Sequence, residues 1–238
     1  MRILASGKEI VDQYLAVNES RRIAYSFLSR AYEKEITVDF LEQLTKGNDF
    51  TSKISGLGGG KDLKEGFRLL STYLKGLAER DLQEVKLELA VEYANLFLGV
   101  GGKVHHPSES AYRSPDHSIM QNPRDEVLSA YWDAGVDKVK KYTEPEDHIA
   151  IELQFMAYLC GKTADTLKKG QKREAGEFLK KQRDFINSHL RLWVTKFTED
   201  VSKGASLDFY KGIAKITNGF IQLDEQAIND LIEEIQRL

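Results

Sequence analysis

Proline placement constrains the fold of this chain more than any other feature of its sequence. The four prolines, Pro107, Pro115, Pro123 and Pro145, all lie between residues 107 and 145 of a 238-residue chain. Proline removes a backbone donor and breaks the interior of a helix, so the stretches on either side can form long helices. Apolar residues there recur at helical spacing, and no useful length alternates with the period of a strand. The sequence therefore predicts an all-α fold, a helical bundle of about 9–11 helices.

Several helix boundaries follow from local signals. Thr37 has the residue type and position of an N-cap, and Asp81 with Glu84 has the spacing of a capping box. Asp224 is predicted to cap the last helix. The glycine-rich stretch at residues 56–60 is interpreted as a linker, because it lacks the Gly-Lys-Ser/Thr ending of a phosphate-binding loop and no strand precedes it.

The prolines also suggest how the chain is divided. Residues 1–142 are predicted to form an N-terminal helical portion that includes a long loop at 99–122. Residues 143–238 form a C-terminal helical portion. A proline-containing loop joins the two as a hinge, and we expect them to pack as one compact domain. An irregular segment as long as 99–122 more often has a function than serves as a simple connection.

Composition excludes several classes of protein. The formal net charge of -3 gives no general attraction to nucleic acid. A single cysteine, Cys160, rules out an internal disulfide and suits a reducing compartment. No apolar run approaches the ~20 residues that a membrane-spanning helix needs. The first residues are too short and too polar for a signal peptide. The sequence therefore predicts a soluble cytoplasmic protein without direct membrane insertion.

The segment from Thr143 to His148 is the most unusual local feature. Pro145 suits the first turn of a helix, which is predicted to begin there and to carry His148 one turn further on. Nearby carboxylates should raise the pKa of His148 and keep it partly charged near neutrality. Two interpretations remain open. His148 is either a helix-start residue bonded to Glu144 or Glu152, or a functional group that faces a polar or peptide ligand.

Catalytic and metal-binding patterns are incomplete. The plausible metal-ligand types are His105, His106, Glu109 and His148. Neither a His-Glu-x-x-His motif nor a repeated Glu-x-x-His motif accompanies them. Ser108 and Ser110 lack a nucleophile elbow, and Cys160 lies on an apolar helix face. We therefore expect no catalytic residue, metal or cofactor. A metal-dependent helical enzyme that uses histidine and carboxylate ligands remains an alternative.

Three short segments resemble motifs of one protein family. They are residues 92–99, with Tyr93, Leu96 and Phe97; residues 107–112, with Pro107, Glu109, Ser110 and Tyr112; and residues 144–149, with Glu144, Pro145, Asp147 and His148. A later run, His189-Leu190-x-x-Trp193-x-x-x-Phe197, is also similar. The family is that of the TorD/DmsD/NarJ molybdoenzyme maturation chaperones. Glu146 departs from the family pattern, because it is inserted between the proline and the Asp-His pair.

The resemblance implies a function and a binding site. It implies an all-helical cytoplasmic chaperone, not an enzyme, that binds the leader peptide of a molybdopterin-containing oxidoreductase. The chaperone assists cofactor insertion and assembly of the apo-form subunit before export, as a monomer or as a domain-swapped homodimer. The implied peptide-binding residues are Tyr93, Leu96, Phe97, Glu109, Tyr112, Glu144, Pro145, Asp147 and His148. A twin-arginine leader offers an apolar helix beside a basic pair, which an apolar groove with an acidic rim complements. A helical regulatory adaptor is the remaining alternative.

Overall fold

The computed structural model describes residues 7–46, 60–136 and 143–237. The helices are α1 (Gly7–Glu33), α2 (Val38–Thr45), α3 (Lys61–Lys75), α4 (Leu82–Phe97), α5 (Glu109–Arg113), α6 (Asn122–Asp133), α7 (Ile149–Lys168), α8 (Lys172–Phe185), a π-helical segment (Ile186–Leu190), α9 (Arg191–Gly204) and α10 (Asp208–Arg237). These ranges contain no β-strand, so the predicted all-α fold is confirmed. None of the described helices combines the length and the apolar character that crossing a membrane requires.

Local capping signals predicted two helix starts correctly. The Thr37 side chain accepts a hydrogen bond from the backbone N–H of Phe40 at the start of α2. The Asp81 carboxylate accepts one from the N–H of Gln83 at the start of α4. The segment 99–122, which was predicted to be a loop throughout, contains the short helix α5. Of the glycine-rich stretch, residues 56–59 lie outside the described part of the chain.

The bundle is built from helices that are distant in sequence. Helix α1 packs along α7, and α3 packs along α10. The buried face of α1 carries Tyr25, Leu28 and Tyr32, each at most 1% exposed. Burial of such large side chains supplies most of the driving force for folding. The N-terminal and C-terminal helices therefore share one core.

Glycines allow α3 and α10 to approach each other closely. A Cβ atom added at Gly66 would lie 2.7 Å from the backbone nitrogen of Ile216. One added at Gly219 would lie 2.5 Å from the backbone nitrogen of Leu63. Backbone atoms cannot rotate away as a side chain can, so larger residues at these positions would push the two helices apart.

A buried ion pair joins α1 to α10. Arg21 donates from Nε to Asp224 Oδ1 at 2.5 Å and from a terminal nitrogen to Oδ2 at 2.9 Å, and both side chains are 1% exposed. Tyr25 donates a further hydrogen bond to Asp224. The prediction that Asp224 caps the last helix is therefore wrong. Helix α10 runs without interruption through this position, and the carboxylate serves a distant arginine instead.

Candidate peptide-binding site

Two proline-bearing segments, far apart in sequence, are bonded to each other. The N–H of Ile149 donates to the carbonyl of Pro107 at 2.7 Å, and the N–H of Glu109 donates to the carbonyl of Asp147 at 2.9 Å. Together they form an isolated antiparallel bridge between Ser108 and His148. We call these joined segments, residues 107–110 and 147–149, the clamp. The clamp brings two of the motifs quoted above into direct contact.

Asp147 reinforces the clamp with its side chain. Its Oδ2 accepts a hydrogen bond from the backbone N–H of Ser110 at 2.8 Å, in the first turn of α5. Its Oδ1 is buried and has no hydrogen-bond partner among the residues that the structure describes. Burial raises the pKa of the Asp147 carboxyl, and the nearby charge of Glu109 adds to this rise. Asp147 therefore acts in this structure as a buried link between the two segments.

His148 is the N-cap of α7. Its Nδ1 accepts a hydrogen bond from the backbone N–H of Ala150 at 3.1 Å, so the proton of the neutral ring is on Nε2. The predicted helix start at Pro145 is therefore wrong. The chain forms a turn there, in which the Pro145 carbonyl accepts from the N–H of His148, and the helix begins at Ile149.

The predicted charge of His148 is also wrong. The side chain is almost fully buried, and burial lowers its pKa to about 4. Carboxylates near it in sequence do not offset the loss of water around the ring, and Nδ1 is already used as an acceptor. His148 is consequently neutral at physiological pH.

A pair of buried acids lies behind the clamp. Glu109 contacts His189 Nδ1 through Oε2 at 3.0 Å and also accepts a hydrogen bond from Arg113. Glu152 accepts a hydrogen bond from Trp193 Nε1 at 3.2 Å. Burial raises the pKa of Glu152 well above its usual range, and the nearby charges of Glu109 and Asp147 raise it further. Glu152 Oε1 is buried without a hydrogen-bond partner among the described residues, and burial together with the two acidic neighbours favours the protonated form of this carboxyl.

The sequence did not assign roles to three members of this cluster, Glu152, His189 and Trp193. Glu152 was considered only as a partner of His148 at helical spacing. His189 and Trp193 belong to the fourth segment of the resemblance, which was the one available signal for them. A π-helical segment, Ile186–Leu190, widens the helix at the position where His189 contacts Glu109. Such segments are frequent at functional sites.

The candidate aromatic residues lie mostly in the core. Tyr93, Leu96 and Phe97 are buried, and the Tyr93 hydroxyl donates to the carbonyl of Tyr32 at 3.1 Å. Tyr112 is half-buried against the ring of Trp193, with ring centroids 5.6 Å apart. The structure thus places the first three behind the surface.

The remaining candidates divide into buried and reachable groups. Glu109, Asp147 and His148 are buried in the clamp. Pro145 is half-buried, and Glu144 is exposed. The candidate residues that a partner can touch directly in this structure are therefore Glu144, Pro145 and Tyr112.

Glu146, the residue inserted into the family motif, has a defined place. Its carboxylate accepts a hydrogen bond from Arg124 of α6, and its carbonyl accepts one from the Tyr131 hydroxyl at 2.9 Å. The insertion therefore ties the turn before the clamp to α6. Glu146 is only 12% exposed, so it belongs to the support of the site more than to an acidic rim.

Metal coordination has no set of ligands in the described ranges. No group of three or more His, Cys, Asp or Glu side chains there is placed to hold a metal ion. The structure is therefore that of an all-α protein in which two motifs distant in sequence are bonded to each other, with the buried acids Glu109 and Glu152 packed behind them.

Comparison with known proteins identifies the family. A family model described as nitrate reductase delta subunit matches residues 60–199, more than half of the chain. A relative named chaperone protein TorD from Vibrio parahaemolyticus is 29% identical over 209 residues, covering 88% of this chain and 94% of the relative. A relative of the same name from a Vibrio cholerae strain is 30% identical over 223 residues, covering 92% and 96%. The chain belongs to the nitrate reductase delta subunit family, which includes NarJ and TorD, and the resemblance predicted from its motifs is confirmed.

Proposed function

We propose that this protein is a maturation chaperone that binds the leader peptide of a molybdopterin-containing oxidoreductase subunit in its apo form. Membership of the family and the chaperone names of the relatives support this. The observation that carries the proposal is the bridge between Ser108 and His148. It joins the two motifs that the resemblance links to leader recognition.

The surface beside the clamp has the charge that a basic pair requires. Burial raises the pKa of Tyr93 to about 12, and the negative charges of Glu144, Glu35 and Glu33 add to the rise, while Arg30 opposes it. Glu144 and Glu35 are exposed and Glu33 is half-buried, so acidic side chains lie at the surface near Tyr93 and the end of α1. Two adjacent arginines of a leader would be attracted to this surface.

Binding of this kind makes and breaks no covalent bond. Glu109, Asp147 and His148 hold the backbone of the clamp, and Glu144, Pro145 and Tyr112 meet the peptide. Because the attraction is between exposed charges, affinity should fall as salt is added. A leader is available before export, so the proposal places the protein in the cytoplasm.

The two predicted portions, residues 1–142 and 143–238, are proposed as units of exchange. The two backbone hydrogen bonds of the clamp join a residue of the first portion to a residue of the second. The same bonds can therefore form within one chain or between two chains that have exchanged portions. Light scattering over a range of protein concentrations distinguishes a monomer from an exchanged dimer.

The test uses a synthetic peptide with two adjacent arginines followed by a leucine-rich segment. Glu144→Lys should weaken binding at least about tenfold, because attraction becomes repulsion. Glu177→Lys, on the exposed face of α8, is the matched control and should bind as wild type. Equal affinity of Glu144→Lys and wild type would place the basic pair elsewhere. Failure of the wild-type protein to bind such peptides would overturn the proposed function.

A further inference from the structure

The loop between α5 and α6, residues 114–121, exposes two apolar side chains beside the clamp. Ile119 is 41% exposed and Met120 is 53% exposed. We call this pair the apolar tip. Methionine is unbranched and polarisable, so it adapts to apolar partners of different shapes. Exposed apolar groups beside a binding site favour contact with a partner.

The backbone of the same loop is strained. His117 has φ of 57° and Met120 has φ of 62°, a region that side-chain-bearing residues rarely adopt. They are the two non-glycine residues with positive φ in the described ranges. Strain of this kind persists where the surrounding structure holds it, and it concentrates at ligand-binding sites.

Ser110 links the strained loop to the clamp. Its hydroxyl oxygen accepts a hydrogen bond from the N–H of Gln121 at 3.2 Å, next to Met120. Its own N–H donates to Asp147 at 2.8 Å. The His117 ring adds a second anchor, because Nδ1 lies 3.0 Å from the carbonyl of Ala111 in α5. The apolar tip is therefore held in position by the clamp itself.

The charges around the tip indicate the chemistry of its partner. Arg113 bonds to Glu109 and Glu126, so its charge is compensated within the chain. Arg124 likewise bonds to Glu146 and Asp125. Carboxylates outnumber arginines here, and the exposed Asp116 adds a further negative charge. An apolar surface with acidic surroundings suits an apolar segment that carries basic residues, and it repels a second copy of itself.

We propose that Ile119 and Met120 bind the apolar segment of the leader peptide, in a position fixed by the bonds of Ser110 to Gln121 and to Asp147. This inference rests on the proposed function and adds to it a second contact surface. Strain at Met120 is maintained because it presents the side chain to the peptide. Ser110 is a positioning residue that couples this contact to the clamp.

The experiment separates folding stability from binding. Met120→Gly removes the side chain and also the strain, since glycine adopts positive φ readily. It should therefore unfold at a higher urea concentration than wild type, yet bind the leucine-rich peptide at least about tenfold more weakly. Ile119→Ser should also weaken binding. Leu192→Ser, which alters a side chain 52% exposed on α9, is the matched control and should bind as wild type.

A second peptide identifies the contact. When serines replace the leucines after the arginine pair, wild type, Met120→Gly and Ile119→Ser should bind this peptide equally weakly. Unchanged affinity of Met120→Gly for the leucine-rich peptide would overturn the inference, as would lower stability of this variant. Concentration-dependent dimerisation that Met120→Gly abolishes would identify a second copy as the occupant instead. If the wild-type protein binds neither peptide, the proposed function itself is refuted. This outcome differs from unchanged binding by Met120→Gly, which would refute only the role of the apolar tip.

Discussion

The protonated state of Glu152 gives the sharpest test of the buried acid pair. Glutamine has the shape of a protonated glutamate, so Glu152→Gln keeps an acceptor for Trp193 Nε1 and removes the titrating group. Glu152 has a pKa raised well above 4.5 in the folded protein by burial and by its acidic neighbours. The folded chain therefore holds one proton over a range of pH in which the unfolded chain has released it. This makes the wild type lose stability as pH rises from about 4.5 toward the folded-state pKa of Glu152.

The expected magnitude follows from one proton. A difference of one bound proton changes the free energy of unfolding by about 1.4 kcal/mol per pH unit. The advantage of Glu152→Gln over wild type should grow with that slope above pH 4.5. The opposite contribution of His148, whose pKa is lowered to about 4, is present in both proteins and cancels in the difference.

Urea unfolding followed by circular dichroism, at roughly half-unit steps of pH, measures this difference. Glu152→Leu is the matched control. It also lacks the titrating group, but it leaves the buried Nε1 of Trp193 without its acceptor. It should therefore be less stable than Glu152→Gln by about 1–3 kcal/mol at every pH. A stability difference between Glu152→Gln and wild type that stays constant with pH would show that Glu152 is ionised in the folded protein, and would refute the reasoning.

Three further substitutions test other features of the structure. Arg21→Met should destabilise the fold by about 3–5 kcal/mol, because Asp224 would remain buried without its cationic partner. Adding Asp224→Leu should restore most of this loss, as measured by thermal unfolding. Gly66→Ala should cost about 1–3 kcal/mol in urea unfolding, because its Cβ would meet backbone atoms of α10; an unchanged midpoint would contradict the close packing. His148→Ala should lower the free energy of unfolding by at least about 1 kcal/mol, because α7 loses its N-cap, whereas asparagine in His148→Asn can still cap the helix and should preserve most of the stability. An equal loss of stability in both variants would show that capping is not the role of His148.

Features fixed by neighbouring residues could be predicted from the sequence. Thr37 and Asp81 cap helices because a cap requires only residues two or three positions away. Features fixed by distant residues could not. Asp224 has the chemistry of a cap, but it pairs with Arg21 at the other end of the chain.

The candidate site shows the same limit. The motifs located the clamp, and their residues do come together at Ser108 and His148. The helix start and the charge of His148 were wrong, because sequence neighbours do not reveal burial. The contact between Glu109 and His189, and the positive φ values of His117 and Met120, depend on contacts that no local pattern records.

The packing of α1 on α7 has a consequence for synthesis of the chain. Helix α1 ends at Glu33, and its partner begins only at Ile149. At ribosomal rates of about 5–20 residues per second, α1 waits on the order of ten seconds before the surface that covers it exists. During that interval Tyr25 and Leu28 are without their native neighbours from α7. Newly made chains of this protein are thus exposed to aggregation before they can protect any other protein.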